Sequence, residues 1–350
     1  MECRNLIVNA LTAKAQENAT AVMEQAGWHC KRGKCAPPVI PMAVGNARTV
    51  AERAVSILPE IPSNRILVLT IDDLISNNRQ SLIVNRQLRF LMLLAVDIGN
   101  TNITLGLYNG ETLGPSWRLA TGQGKMPDEH GLLLTGLFRH AGINISDVNA
   151  VAIASVVPPL TSALVEACRS CFCCEPMVVD GTCNTGLHIR YEEPAQVGAD
   201  RVVDAVAAYE LYGGPACIVD FGTATTFDAI SKEGDYLGGA IAPGIGISAA
   251  ALFQRAAKLP KVDIGRPPAA IGRNTVHSLQ SGLLFGYVGL VEGMVARFRS
   301  ELGAETKVIA TGGLAETIAK ETRVISILAP WLTLDGLRII YDLNQKAKPL

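Results

Sequence analysis

One pattern occurs twice in this chain and limits its fold more than any other feature. In the stretch LAVDIGNTNITLG, Leu94 to Gly106, the apolar run Leu93–Val96 reads as a buried strand, and the turn formers Asp97, Gly99, Asn100, Thr101 and Asn102 follow at its end. Apolar residues resume from Ile103 to Leu107, so the pattern is strand, tight turn, strand. Gly99 lets the backbone approach a ligand closely, while Asn100, Thr101, Asn102 and Thr104 offer amides and hydroxyls to phosphate oxygens. Asp97 can face the same ligand through a divalent metal. Cys217 to Ile230, CIVDFGTATTFDAI, repeats the design with Asp220, Gly222, Thr223, Thr225 and Thr226, and a glycine-bearing turn follows each copy, Asn109-Gly110 and Glu233-Gly234. A single copy is also what an ordinary hairpin looks like. Two copies a domain's length apart predict a duplicated fold that clamps a nucleotide between its halves.

The chain is long enough for two such halves. With 350 residues, 49% hydrophobic and 18% charged, it can bury two sizeable cores. A formal net charge of −1 offers no basic surface for nucleic acid or membrane. No apolar run reaches the roughly 18 residues of a membrane span. The N-terminus lacks a basic-then-apolar signal pattern, since Glu2, Arg4 and Lys14 interrupt it. These features predict a cytoplasmic protein. Nine cysteines at irregular spacing predict reduced thiols. The dense group Cys168, Cys171, Cys173 and Cys174, with Cys183 beyond, has the atoms of a metal site but no second knuckle, and packed cysteines at a helix end are the simpler reading. Cys30 and Cys35 rate no higher.

Residues 1–91 differ in texture from the rest of the chain. Leu6–Met23 and Asn46–Leu58 suit helices, Cys30–Pro41 a basic, proline-rich loop and Ile66–Leu69 a strand, but no motif there carries chemistry. From Met92 the pattern predicts the hairpin, a third strand over Leu113–Ala120, a helix near Asp128–Ala141, a strand at Ala150–Ser155, a helix from Pro158 to about Cys171 and a strand at Met177–Asp180. Strands before and between helices indicate an α/β layered fold. Ala199 to Leu211 reads as a helix with Val202, Val203, Val206 and Ala207 on one apolar stripe, which puts Asp200 and Arg201 in its first turn. By itself Asp200 reads more as an acid meeting the helix dipole than as a base.

Farther on, the glycine-dense Leu237–Gly246 predicts close backbone approach to a ligand or another chain, and Ser248–Lys258 a helix. The long helix Val276–Leu302 carries Gly282, Gly286, Gly289 and Gly293 at three- and four-residue spacing, a smooth face for tight packing on another helix and a candidate dimer seam. Val308–Gly313 is a third strand-to-glycine turn, suited to adenine or ribose, leading into Leu314–Lys320, and Thr333–Tyr341 is the last helix.

In order and spacing, DIGNTN, YEEPAQVGADR, DFGTATTFD, YLGGAIAPGI, ALFQRAAKLP, GRNT, SGLLFGYVGLVEG, ATGG and LTLDGL give Met92 to Asn344 a highly specific pattern. This part of the chain resembles type III pantothenate kinase. The resemblance implies an α/β, duplicated actin-like ATPase (ribonuclease H-like) fold with ATP in the cleft between two halves, 92–207 and 208–350, and leaves 1–91 as an extension of unassigned role. It implies ATP-dependent phosphorylation of pantothenate to 4'-phosphopantothenate, the first step of coenzyme A synthesis. ATP would meet Asp97, Ile98, Gly99, Asn100, Thr101, Asn102, Ile103 and Thr104, with Thr223 from the second loop. Pantothenate would meet Tyr191, Gly198, Ala199, Asp200, Arg201 and Thr275, with Asp200 as the proton acceptor. The resemblance further implies Mg²⁺, a monovalent cation (K⁺ or NH₄⁺) at Asp220, and a homodimer. It raises Asp200 from helix cap to base, with the helix start keeping it ionised. The competing reading is a non-catalytic regulator on the same scaffold, like the Bvg accessory factor relatives; loss of Asp200 or Asp220 would favour it, and both are present.

Overall fold

Strand β1, Met92–Ile98, is the centre of the first sheet, and four consecutive residues, Leu93 to Val96, are at most 2% exposed. The structure, a computed structural model, describes residues 92–122, 124–256 and 258–346; the elements expected before Met92 lie outside them. β1 pairs antiparallel with β2, Asn102–Asn109, which pairs antiparallel with β3, Thr112–Ala120. On its other side β1 runs parallel to β4, Val148–Ser155, and β4 to the short β5, Met177–Val178, giving the order β3-β2-β1-β4-β5. Helices α1, Pro127–His140, and α2, Pro158–Phe172, cover one face, burying Leu134, Phe138, Leu160 and Leu164 against β1, β2 and β4. Both start with proline, whose missing N–H costs nothing in a first turn.

The second sheet repeats this topology. β6, Ala216–Phe221, is its centre; β7, Ala224–Ile230, and β8, Tyr236–Pro243, follow antiparallel on one side, and β9, Lys307–Thr311, and β10, Ile327–Leu328, run parallel on the other. The order β8-β7-β6-β9-β10 matches that of the first sheet strand for strand. Two copies of a three-strand antiparallel meander extended by two parallel strands are the duplicated actin-like, ribonuclease H-like fold. Between the two sheets lie α3, Ala199–Tyr212, and α7, Leu332–Lys346, which share a core with residues of both. The crossing is tight: a Cβ on Gly336 would stand 2.1 Å from the Val203 carbonyl oxygen. The stripe expected on α3 is therefore wider than one face, with every residue from Arg201 to Ala208 buried.

The glycine-dense segment is strand β8 and the start of the next helix; Gly246 lines the cleft described below, whereas Gly239 and Gly244 approach the chain's own backbone. A Cβ on Gly239 would lie 1.8 Å from the Phe227 carbonyl oxygen, and one on Gly244 2.3 Å from that of Thr223. Helices α4, Ile245–Arg255, and α5, Thr275–Leu302, follow, and α6, Ala315–Ala319, lies between β9 and β10. α5 is long and apolar enough to cross a membrane, with a window of mean hydropathy 1.3, although its apolar residues form no unbroken run. Its Leu284, Val288, Val291 and Val295 pack into the core of the second sheet. Among the described residues its glycine face is not packed tightly on another helix: Cβ atoms on Gly282, Gly286 and Gly289 would meet nothing within 4 Å. The six described cysteines are unpaired thiols; Cys168 is buried, and Cys173 ends α2 in the left-handed region at φ 51°.

Candidate active site

Asp97 and Asp220 occupy the same place in the two sheets, next to last in β1 and in β6. After β1 the chain turns through Gly99, Asn100 and Thr101. Gly99 N–H donates to the Asn102 carbonyl at 3.0 Å, and Thr121 holds the turn from outside, its N–H bonding the Thr101 carbonyl at 2.9 Å and its hydroxyl the Gly99 carbonyl at 2.7 Å. The carbonyls are thus occupied, whereas the amides of Asn100 and Thr101 donate to no acceptor among the described residues. The turn after β6 is built alike: Gly244 N–H bonds the Thr223 carbonyl at 3.2 Å, and the amides of Gly222 and Thr223 stay open. A third open turn follows β9, where Gly312 has φ +88° and a Cβ would fall 2.3 Å from Asp220 Oδ1. Only glycine lets β9 bring its turn against that carboxylate.

These turns converge on one cleft of about 620 Å³, lined by Asp97, Gly99, Asn100, Thr101, Asn102 and Thr104 from the first hairpin and by Asp220, Gly222, Thr223 and Thr226 from the second. The hairpins touch through their tips, Thr101 Oγ1 to Thr223 Oγ1 at 2.8 Å. Asp200, in the first turn of α3, adds a third carboxylate to the lining, and its Oδ1 accepts from the Arg201 amide at 2.8 Å. Gly312, Gly313 and Leu314 complete another wall.

The electrostatics are those of an anionic site in need of cations. Burial, followed by the charges of Asp200 and Asp220, raises Asp97 to about 7. Burial, followed by Asp200 and Asp228, likewise raises Asp220 to about 7. Burial raises Asp200 too, against the pull of the Arg201 amide and charge, so the helix start does not dominate as the sequence predicts. Among the described residues no three His, Cys, Asp or Glu side chains form a ready metal cage. Oxygen donors, few and adjacent to turns with open amides, fit a hard cation that keeps several waters.

Not every expected residue reaches the cleft. Ile98 and Ile103 are at most 1% exposed in the sheet and present only backbone. Tyr191, Gly198, Ala199 and Arg201 lie beside the cleft rather than in its lining. Arg201 Nε bonds Asp228 Oδ1 at 2.7 Å, an oxygen that also accepts from the Tyr236 hydroxyl at 2.7 Å, and the Tyr191 ring stands 6.5 Å from that of Tyr236. Thr275 begins α5, with Asn274 Oδ1 accepting from His277 N–H at 2.8 Å as its cap, and is not among the lining residues.

Asp204, Arg118 and Trp331 lie in no motif that sequence reasoning could seize on, and Thr333, within LTLDGL, reads in the sequence only as the start of the last helix. Asp204 stands one turn after Asp200, 4% exposed with Oδ1 unpartnered, and burial together with Asp220 raises it far above the usual carboxylate range. A lone acid inside VVDAVAA was the available signal. The other three line the cleft: Arg118 from β3, the strand after the first hairpin, and Trp331 and Thr333 from just before and within the first turn of α7, distant in sequence from either hairpin turn.

The family model of type III pantothenate kinase matches residues 93–297. The chain belongs to the type III pantothenate kinase family. Relatives in that family include the type III pantothenate kinase of Moorella thermoacetica, 53% identical over 72% of this chain and 100% of the relative, and that of Roseiflexus sp. strain RS-1, 52% identical over 73% and 100%. Among solved structures, a putative Baf family transcriptional activator from Campylobacter jejuni is 19% identical over 72% of this chain and 99% of its own, with a TM-score of 0.48. The family's motifs fall on the features just described: DIGNT is the first open turn, DFGTATT the second, and GADR the start of α3.

Proposed function

We infer that this protein is an ATP-dependent pantothenate kinase that makes 4'-phosphopantothenate at the head of coenzyme A synthesis. The observation that carries the reading is the cleft itself: two open-amide hairpins joined tip to tip through Thr101 and Thr223, with Asp97, Asp200 and Asp220 beside them. Nucleotide phosphates fit the turns after β1 and β6, and the nucleoside fits the turn after β9. Asp97 would hold Mg²⁺ and Asp220 K⁺ or NH₄⁺; when bound, these cations offset phosphate charge. Pantothenate would lie toward Tyr191, Gly198–Arg201 and Thr275. We take 92–207 and 208–350 as the two halves, the division falling within α3.

Phosphoryl transfer proceeds through a loose transition state, so positioning and charge matter more than a strong base. The substrate's primary hydroxyl oxygen forms the new bond to the γ-phosphorus, the bond to the ADP oxygen breaks, and the hydroxyl proton passes to an Asp200 carboxylate oxygen. Burial makes that carboxylate a better acceptor than an exposed one. A cytoplasmic site of action follows from its substrates, and a homodimer from the glycine face of α5, open among the described residues, with Ile271 and Val276 exposed at and just before its start.

The test is ADP release by the full chain with ATP, Mg²⁺ and pantothenate, in K⁺ and then Na⁺ buffer. Pantothenate-dependent, K⁺-stimulated turnover is the expected result. Absence of turnover in both buffers would overturn the kinase reading, and equal rates would remove the role of Asp220.

A further inference from the structure

Arg118 is the only lysine or arginine among the described residues lining the cleft, which otherwise presents Asp97, Asp200 and Asp220. Its position is set by sheet register. Asp97 pairs with Thr104 across β1 and β2, and Thr104 pairs with Arg118 across β2 and β3. Directly paired residues project from the same face, so acid, hydroxyl and guanidinium stand in one row, two strand spacings or about 10 Å from end to end. All three line the cleft.

Two further features make this a built position. Thr121, three residues on, carries the two hydrogen bonds that hold the first turn, so β3 and the open amides are tied together. The Arg118 guanidinium lies over the Trp331 ring, Cζ 5.6 Å from its centroid, and forms no ion pair or hydrogen bond among the described residues. A ring face orients a guanidinium while leaving its N–H edge free for a planar or tetrahedral anion. An unpaired cation facing three carboxylates from the far end of a phosphate-binding hairpin has an obvious use for a polyphosphate, whose charge must be balanced on the side away from the acids.

We propose that Arg118 binds the terminal phosphates of the nucleotide and stays in contact with the phosphoryl group during transfer. This rests on the nucleotide reading of the cleft. The role is charge balance at the oxygens where negative charge redistributes, which makes Arg118 a catalytic residue for the reaction and not only an affinity contact.

The experiment is calorimetric titration of the full chain and of Arg118→Ala and Arg118→Lys with ATP, ADP and AMP in Mg²⁺, alongside steady-state kinetics. Arg118→Ala should weaken ATP about 10- to 100-fold, the scale of a charge-assisted hydrogen bond. AMP affinity and the pantothenate KM should stay within about twofold in that variant, and kcat should fall. Arg118→Lys should recover part of the ATP affinity. Equal losses for ATP and AMP, or unchanged ATP affinity in Arg118→Ala, would overturn the role while wild-type turnover left the kinase reading standing. Wild-type protein that bound no nucleotide would overturn both.

Discussion

At the scale of single residues, the cleft is lined by acids that burial has made reluctant to ionise. Asp200→Asn keeps the size of the side chain and removes the proposed proton acceptor, so on that proposal kcat should fall about 100-fold or more with ATP affinity largely kept; stopped-time ADP assays beside nucleotide titration check it. A second buried group speaks to pH. His130 in α1 is 1% exposed, neither ring nitrogen has a partner, and burial lowers its pKa below the ordinary 6.5. The unfolded chain therefore takes up this proton first, so the contribution of His130 is fully present above about 6.5 and declines as the pH falls below it. His130→Leu should flatten the acid side of the stability curve below about pH 6.5. Urea midpoints at a series of pH values would show it, and an unchanged slope would mean that other groups set the acid limit. Of the site residues, Asp97, Asp220 and Asp200 were legible because each stands at a motif's fixed place after a strand or at a helix start. Asp204 and Arg118 were not, since nothing local distinguishes an acid inside an apolar helix or an arginine on an edge strand from a structural one.

Elements were readable where one periodicity dominated. The hairpins, α1, α2 and α5 fall within a few residues of their sequence patterns, because burial on one face imposes a regular repeat. The expectation for α3 was incomplete because that helix is enclosed from both sides, and enclosure follows from where α7 lies. Glycine tells the same story. Gly336 exists for a helix crossing, and Gly336→Ala should cost about 1–3 kcal/mol by pushing a methyl into the Val203 carbonyl. In α1, where a Cβ on Gly136 would meet nothing within 4 Å, Gly136→Ala should instead stabilise by about 0.5–1 kcal/mol. Chemical unfolding of the pair separates the two kinds of glycine; a gain from both would mean α3 and α7 can part at little cost.

For the molecule as a whole, the open question is what covers the glycine face of α5. A groove lined by Leu252, Leu279, Gly282, Gly286 and Leu290 runs along it. If a second copy sits there, light scattering should return a dimer, and Gly286→Arg, at a position where a Cβ meets nothing within 4 Å among the described residues, should give a folded monomer. A wild-type monomer would leave the face to another use. The sequence alone determined the duplicated strand-turn-strand pattern, the two hairpin turns and the helix start that carries Asp200, and their motifs mark the family. Each of these is local: a strand, a turn and a helix start are fixed by a dozen neighbouring residues and their apolar spacing. Only the tertiary structure decided that the two turns meet at Thr101 and Thr223, that α3 is buried all round from Arg201 to Ala208, and that Thr104 aligns Arg118 with Asp97. Those facts depend on strand register and helix crossing, which join residues distant in the chain and are set by packing rather than by any local pattern.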